Sequence, residues 1–188
     1  GNSPFLSRVA VAEWDFLTRL VDDGPDPLFE EIAAATQQTD DRGENRAGLM
    51  RRLRVARRRV ALLAAVAELA GWWSLERQMA VLSRFADAAI GTTLRHLLRA
   101  AAADGSIVPA DPEDPERGSG VIVLAMGKLG GEELNYSSDI DLILLYDLAK
   151  AAGPVQDSAQ STYGRLARDL VRILDERTGD GYVFRTDL

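Results

Sequence analysis

The sequence predicts an α+β fold in which a helical bundle is followed by a small α/β domain. Apolar residues recur at helical spacing through the first hundred residues, and a stretch rich in Pro, Asp and Gly follows. After it, short β-branched runs alternate with helical segments. With 188 residues, 46% of them hydrophobic, the chain can bury a substantial core. We expect a helical region at 1–102, a linker at 103–119 and an α/β domain at 120–188.

The helical region is predicted to contain two long helices and shorter ones before them. Ser3 and Asp26, each followed by Pro, are N-cap signals for short helices. A long helix is expected near 46–71, and Ser74 can cap the next one, near 75–102. Apolar residues on the first long helix alternate steps of four and three, which is typical of a packed helix face. They are Leu49, Leu53, Ala56, Val60, Leu63, Ala67 and Ala70.

The first long helix also carries six arginines within nine residues. Two interpretations are open for this cluster: a solvated helix face, which we favour, and a surface that contacts an acidic partner. The arginines are Arg51, Arg52, Arg54, Arg57, Arg58 and Arg59.

The α/β domain is predicted to follow the order strand, short helix, strand, helix, strand. The runs at 120–126 and 140–146 are short and continuously apolar, as in buried strands, and 181–188 is expected to form the third strand. The segment 163–178 is amphipathic and predicts a helix. This order is typical of a small α/β domain supported by the helices.

Composition excludes several classes of protein. The net charge of −7 argues against a nonspecific nucleic-acid binder, since such proteins carry a basic surplus. There is no cysteine, hence neither a disulfide framework nor a thiolate zinc site. No apolar run approaches the roughly 20 residues that span a bilayer, and the N-terminus lacks a signal-peptide layout. We expect a soluble cytoplasmic protein without a membrane or nucleic-acid partner.

Two carboxylates begin the second predicted strand. Strand side chains alternate between faces, so Asp139 and Asp141 should project together. Adjacent carboxylates repel unless a cation lies between them, and Mg²⁺ prefers such oxygen ligands. A second ion needs a further carboxylate, for which Asp187 on the third strand is the best candidate. The alternative to a metal site is that Asp139 and Asp141 are an N-cap and a strand-end charge, and that the position of Asp187 is incidental.

The loop before these carboxylates could hold a phosphate. Gly127, Gly130 and Gly131 permit tight turns with positive φ, and exposed N–H groups at the start of a short helix attract anions. A P-loop is excluded, because its glycine and hydroxyl positions fall on Ile122 and Leu129. Three further side chains are candidate phosphate contacts: Lys128, Ser138 and Arg185. Arg185 is one because it shares a face with Asp187 by the two-residue period of a strand. For the other two a simpler alternative is open: Lys128 could be only solvated, and Ser138 could be a turn residue.

Gly127-Lys128, ten residues and Asp139-x-Asp141 resemble the nucleotidyltransferase signature of the DNA polymerase β superfamily, with Lys128 in place of the usual small residue. The segments "GKLGGEELNYSSDIDLI", "GYVFRTDL", "GNSPFLSR" and "LAGWWSLE" are similar to bacterial glutamine synthetase adenylyltransferase/adenylyl-removing enzymes. The resemblance covers nearly the whole chain. It implies a mixed-sheet nucleotidyltransferase-type domain, and a chain that ends at Leu188 within the active-site region, where the family continues.

The resemblance also implies a function. Such enzymes are multifunctional regulators of nitrogen metabolism with two fused heads, one transferring AMP from ATP to a tyrosine of glutamine synthetase and one removing it with phosphate to release ADP. The motifs resemble the removing head, so we expect Mg²⁺-dependent phosphorolysis, with a PII-type signal protein as regulator. The alternatives are the transferring head and a non-catalytic module that binds nucleotide or a signalling protein. The direction of reaction, ion count, regulator sites, oligomeric state and activity of this chain alone do not follow from the sequence.

Overall fold

The computed structural model describes residues 3–38, 44–147 and 155–188, with side chains in the last range from residue 160 onward. Part of the polar segment 36–45, which separates the short helices from the first long helix in the sequence, lies outside these ranges. The described residues form seven helices and three strands. In chain order they are α1 (Pro4–Ala12), α2 (Trp14–Asp23), α3 (Pro25–Gln37), α4 (Arg46–Leu69), α5 (Leu75–Ala103), β1 (Val121–Ala125), α6 (Gly127–Gly130), β2 (Ile140–Tyr146), α7 (Val155–Asp175) and β3 (Thr186–Asp187).

Side-chain caps fix the starts of three helices. Ser3 and Ser74 accept hydrogen bonds from the backbone N–H groups three residues later, which confirms both predicted N-caps. Asn45 caps α4 in the same way. The N-cap predicted at Asp26 is wrong, because α3 already begins at Pro25. The Asp26 carboxylate instead accepts hydrogen bonds from the side chains of Trp73 and Arg77.

The three strands form one mixed sheet in the order β1-β2-β3. β1 and β2 are antiparallel, with Ala125 opposite Leu142, whereas β2 and β3 are parallel. The α+β class with a small mixed sheet is thereby confirmed. Along β2, Ile140 and Leu142 are buried while Asp141 and Ile143 are exposed, so one face of the sheet meets the core and the other is open.

The third strand is much shorter than the predicted 181–188. The N–H groups of Val183 and Phe184 both donate to the carbonyl of Leu174 near the end of α7. These residues therefore complete the helix terminus rather than a sheet ladder. Only Thr186 and Asp187 pair with β2.

The hydrophobic core continues from the helical region into the α/β part. It includes Phe29, Leu63 and Phe85 from the helices and also Leu134 and Phe184. No helix or strand occurs between α5 and β1, where the linker was predicted. None of the described helices is long and apolar enough to span a membrane.

Candidate functional site

Three aspartates lie where β2 begins. Asp141 is the direct register partner of Asp187 across the parallel pair β2–β3. Asp139 precedes Asp141 by two residues and its side chain is 53% exposed. Register partners share a face, so Asp141 and Asp187 belong to one side of the sheet, and Asp139 lies directly before β2. The sequence prediction that Asp187 lies beside Asp141 is therefore confirmed at the level of strand pairing.

The three carboxylates are not gathered into a closed ligand set. Among the described residues, no three Asp, Glu, His or Cys side chains are grouped so that they could hold a metal ion. The donor chemistry nevertheless fits a hard cation, since two carboxylates on paired strands offer oxygen ligands of the kind that Mg²⁺ prefers. The three-aspartate metal site stays a prediction.

Gly127 makes room for the Asp141 carboxylate. Its φ is +54°, a conformation that favours glycine, and a Cβ on this residue would lie 2.8 Å from Asp141 Oδ2. The backbone N–H of Met126 also donates to the carbonyl of Asp141 at 2.8 Å. The turn from β1 into α6 therefore fits closely against the start of β2, and the missing side chain leaves space for the carboxylate.

Neither of the other two glycines of the loop adopts a positive φ. A Cβ on Gly130 would overlap the carbonyl oxygen of Ala125, so this glycine lets α6 approach β1. Gly131 has φ −89° and room for a side chain. The expectation of positive φ at these two positions is wrong, because α6 ends regularly there and the left-handed residue is Glu132, at +57°.

The hydrogen bonds of this loop reduce the number of groups that could bind a phosphate. The N–H groups of Gly130 and Gly131 donate to the carbonyls of Met126 and Gly127 within α6. They are thus already used, and Gly127 and the exposed Lys128 remain as the candidates on this loop. Phosphate binding here stays a prediction.

Ser138 and Arg185 are both bonded to the loop that leads into β2. The Ser138 hydroxyl donates to Asn135 Oδ1 at 2.6 Å, as expected for the turn residue of the simpler interpretation. The Arg185 guanidinium donates to the carbonyl of Ser137 at 3.1 Å and lies 3.9 Å from Asp139 Oδ2. It is 59% exposed, so it stands beside the aspartates with donors free to turn toward an anion.

Of the six arginines in the cluster on α4, only Arg51 is exposed, so the solvated-face interpretation is wrong for the other five. Arg54 is 1% exposed and donates to the carbonyls of Met50, Gly181, Ile173 and Glu176. Arg58 and Arg59 both bind the carboxylate of Glu13. Burial raises the pKa of Glu13, but hydrogen bonds from these two arginines outweigh it and leave the pKa below its usual range.

Sequence reasoning missed that Arg57 contacts the two segments that lead to the aspartates. Arg57 donates to the carbonyl of Tyr136 at 2.9 Å, and its guanidinium lies over the rings of Tyr136 and Phe184. A usable signal was present, because Arg57 follows Leu53 by four residues and precedes Val60 by three. That spacing puts it beside the apolar face rather than opposite it.

A profile of the family described as glutamate-ammonia ligase adenylyltransferase matches residues 1–188. The chain belongs to this family. This match confirms the family resemblance that was inferred from the glycine loop, the paired aspartates and the segment "GYVFRTDL".

Curated relatives agree with the family assignment. A bifunctional glutamine synthetase adenylyltransferase/adenylyl-removing enzyme of Rhizobium meliloti (strain 1021) is 50% identical over 142 residues, which cover 76% of this chain and 14% of the relative. Proteins of the same name from Agrobacterium fabrum (strain C58) and Xanthobacter autotrophicus (strain Py2) are 40% and 42% identical, over 99% and 100% of this chain and 19% of each relative. The chain thus spans about a fifth of the length of these relatives.

Proposed function

We propose that the open face of the sheet is a nucleotidyl-transfer site that acts on glutamine synthetase. The direction that we favour is phosphorolysis: removal of AMP from an adenylylated tyrosine, with release of ADP. The observation that carries this proposal is the parallel register of Asp141 with Asp187, with Asp139 two residues away and Gly127 against the Asp141 carboxylate. The names of the curated relatives, which include both transfer and removal, support the substrate.

The proposed reaction exchanges one phosphorus–oxygen bond for another. An oxygen of inorganic phosphate forms a bond to the AMP phosphorus, the bond to the tyrosine oxygen breaks, and the phenolate takes up a proton. Mg²⁺, when bound, would neutralise charge on the transferring group. Asp139, Asp141 and Asp187 would hold it, as their oxygen donors and their places around the start of β2 suggest.

The remaining residues of the site would bind and orient the anionic groups. Arg185 is exposed beside Asp139 and presents planar donors that suit a phosphate. Lys128 adds a point charge from α6, and Ser138 could add its hydroxyl if its bond to Asn135 opens. Gly127 allows the loop to approach the Asp141 carboxylate and Gly130 allows it to approach β1, whereas Gly131 ends α6 with room for a side chain.

The test is phosphate-dependent ADP release from adenylylated glutamine synthetase. We expect release by the protein in the presence of Mg²⁺, and a loss of at least about 100-fold in Asp139→Asn, comparable with removing one electrostatic stabiliser of a transition state. Asp15→Asn, an exposed aspartate in the first turn of α2, is the matched control and should retain activity.

Two other outcomes would redirect the proposal. Release of pyrophosphate from ATP with unmodified glutamine synthetase, and no ADP release from the adenylylated form, would assign the transferring direction. Nucleotide binding that is indifferent to Asp139→Asn, without either reaction, would indicate a non-catalytic module.

A further inference from the structure

Arg57 reaches from the helical region to both chain segments that carry the aspartates. Its guanidinium donates to the carbonyl of Tyr136, three residues before Asp139. The same group lies 5.3 Å from the centroid of the Phe184 ring, three residues before Asp187. One side chain therefore contacts the entry into β2 and the entry into β3.

The contacts of Arg57 differ from those of the other arginines around it. Arg52, Arg58 and Arg59 each bind a carboxylate, whereas Arg57 contacts, within the described part of the chain, a carbonyl and two aromatic rings. Burial lowers the pKa of its guanidinium, although arginine keeps its charge at neutral pH. The two ring contacts and the hydrogen bond to a carbonyl offset part of the cost of burying this charge, and both lie on the segments that lead to the aspartates.

Each segment also has its own contact with the helices, and Arg57 contacts both segments. The Tyr136 hydroxyl donates to the carbonyl of Ala61 on α4 at 2.8 Å, and Phe184 packs against Phe85 of α5 with ring centroids 5.9 Å apart. Burial raises the pKa of Tyr136 to about 12, so its phenol stays protonated and keeps this hydrogen bond. The two segments are thus docked on the helices separately, and Arg57 touches both.

We propose that Arg57 is a positioning residue of the nucleotidyl-transfer site: it sets the relative position of segments 136–139 and 184–187, so that Asp139 and Asp187 act on one cation. This inference rests on the proposed function. Residues that orient metal ligands without touching the metal typically change its affinity by about 10–100-fold when they are removed.

The experiment measures Mn²⁺ binding to the protein without substrate, by the electron paramagnetic resonance signal of free Mn²⁺, together with thermal unfolding. Arg57→Met keeps the length of the side chain and removes the charge and the donors. We expect it to weaken Mn²⁺ binding by about 10-fold or more at a temperature where the variant is fully folded. Arg57→Lys keeps the charge but has a different donor geometry, so its Mn²⁺ affinity should lie between those of wild type and Arg57→Met.

Arg59→Met is the matched control. Arg59 lies on the same helix, also lies over an aromatic ring (Phe16, at 5.5 Å), and also donates a hydrogen bond, to Glu13. Within the described residues, its ion pair and its ring contact lie on Glu13 and Phe16, away from both aspartate segments. Its loss should lower stability and leave Mn²⁺ affinity unchanged.

The outcomes separate this inference from the proposed function. A wild type that does not bind Mn²⁺ overturns both. A wild type that binds, with equal affinity in Arg57→Met, overturns only the positioning role, as do equal losses of affinity in the Arg57 and Arg59 variants. If Arg57→Met does not fold, Arg57→Lys decides: wild-type affinity in that variant contradicts the proposal.

Discussion

Replacing Gly127 by alanine tests the geometry of the site most directly. The new Cβ would lie 2.8 Å from Asp141 Oδ2, so the carboxylate must move by about 0.6 Å to reach the 3.4 Å of an ordinary contact. Alanine at φ +54° adds left-handed backbone strain of about 1–2 kcal/mol. We expect the free energy of unfolding to fall by about 2 kcal/mol, and Mn²⁺ binding to weaken by about 10-fold, because ligand geometry must hold to within about 0.5 Å.

The matched control lies four residues away. Gly131 has a negative φ and space for a Cβ, so Gly131→Ala should leave both stability and Mn²⁺ affinity close to wild type. Urea unfolding and Mn²⁺ titration of both variants provide the comparison. If Gly127→Ala bound Mn²⁺ as well as Gly131→Ala does, the close approach of Gly127 to Asp141 would be irrelevant to the site and the reasoning would be refuted.

Three further predictions concern stability, measured by urea unfolding. Gly130→Ala should cost about 1–3 kcal/mol, because its Cβ would overlap a β1 carbonyl, and a neutral result would contradict that packing. Glu132→Gly should stabilise by about 0.5 kcal/mol, since φ +57° strains a non-glycine residue; destabilisation would count against this conformation. Glu13→Gln should cost about 2 kcal/mol at pH 7, less than the loss for a fully buried pair, because Arg58 and Arg59 keep some exposure. Because the pKa of Glu13 is lowered in the folded state, its ion pairs stabilise the protein fully above the ordinary pKa of 4.5. This stabilisation is lost as the pH falls through the pKa of the folded state, so the free energies of unfolding of wild type and Glu13→Gln should converge in acid. A difference that stays constant with pH would refute this linkage.

The spacing of apolar residues was sufficient to locate those helices and strands whose position depends mainly on their own residues. The predicted helix near 46–71 ends within two residues of the observed α4, and the predicted strand at 140–146 coincides with β2. Side chains that alternate or recur at helical spacing record which face is buried, so these elements can be read from local sequence. The sequence placed Asp187 on the third strand as a partner for Asp139 and Asp141, whereas its parallel register with Asp141 comes from the structure.

The errors share a different cause. Whether Arg54 is buried depends on carbonyl groups more than a hundred residues away, at Ile173, Glu176 and Gly181. The third strand is short because Leu174 accepts the N–H groups that a ladder would need. Both outcomes depend on which segments meet across the fold, and neither leaves a periodic pattern in the local sequence.

The helical region packs directly against the segments that lead to the aspartates. Leu134 and Phe184, which flank the aspartate segments, are buried against helices, and the N–H of Leu134 donates to the hydroxyl of Ser83 on α5 at 3.2 Å. A chain that begins at residue 120 would expose both side chains and lose the Arg57 contacts. Each large apolar side chain returned to water costs about 1.5–3 kcal/mol, a large fraction of the stability of a domain this small. We therefore expect residues 120–188 alone to lack cooperative unfolding by circular dichroism. A cooperative transition would instead support an independent domain at the boundary predicted from composition.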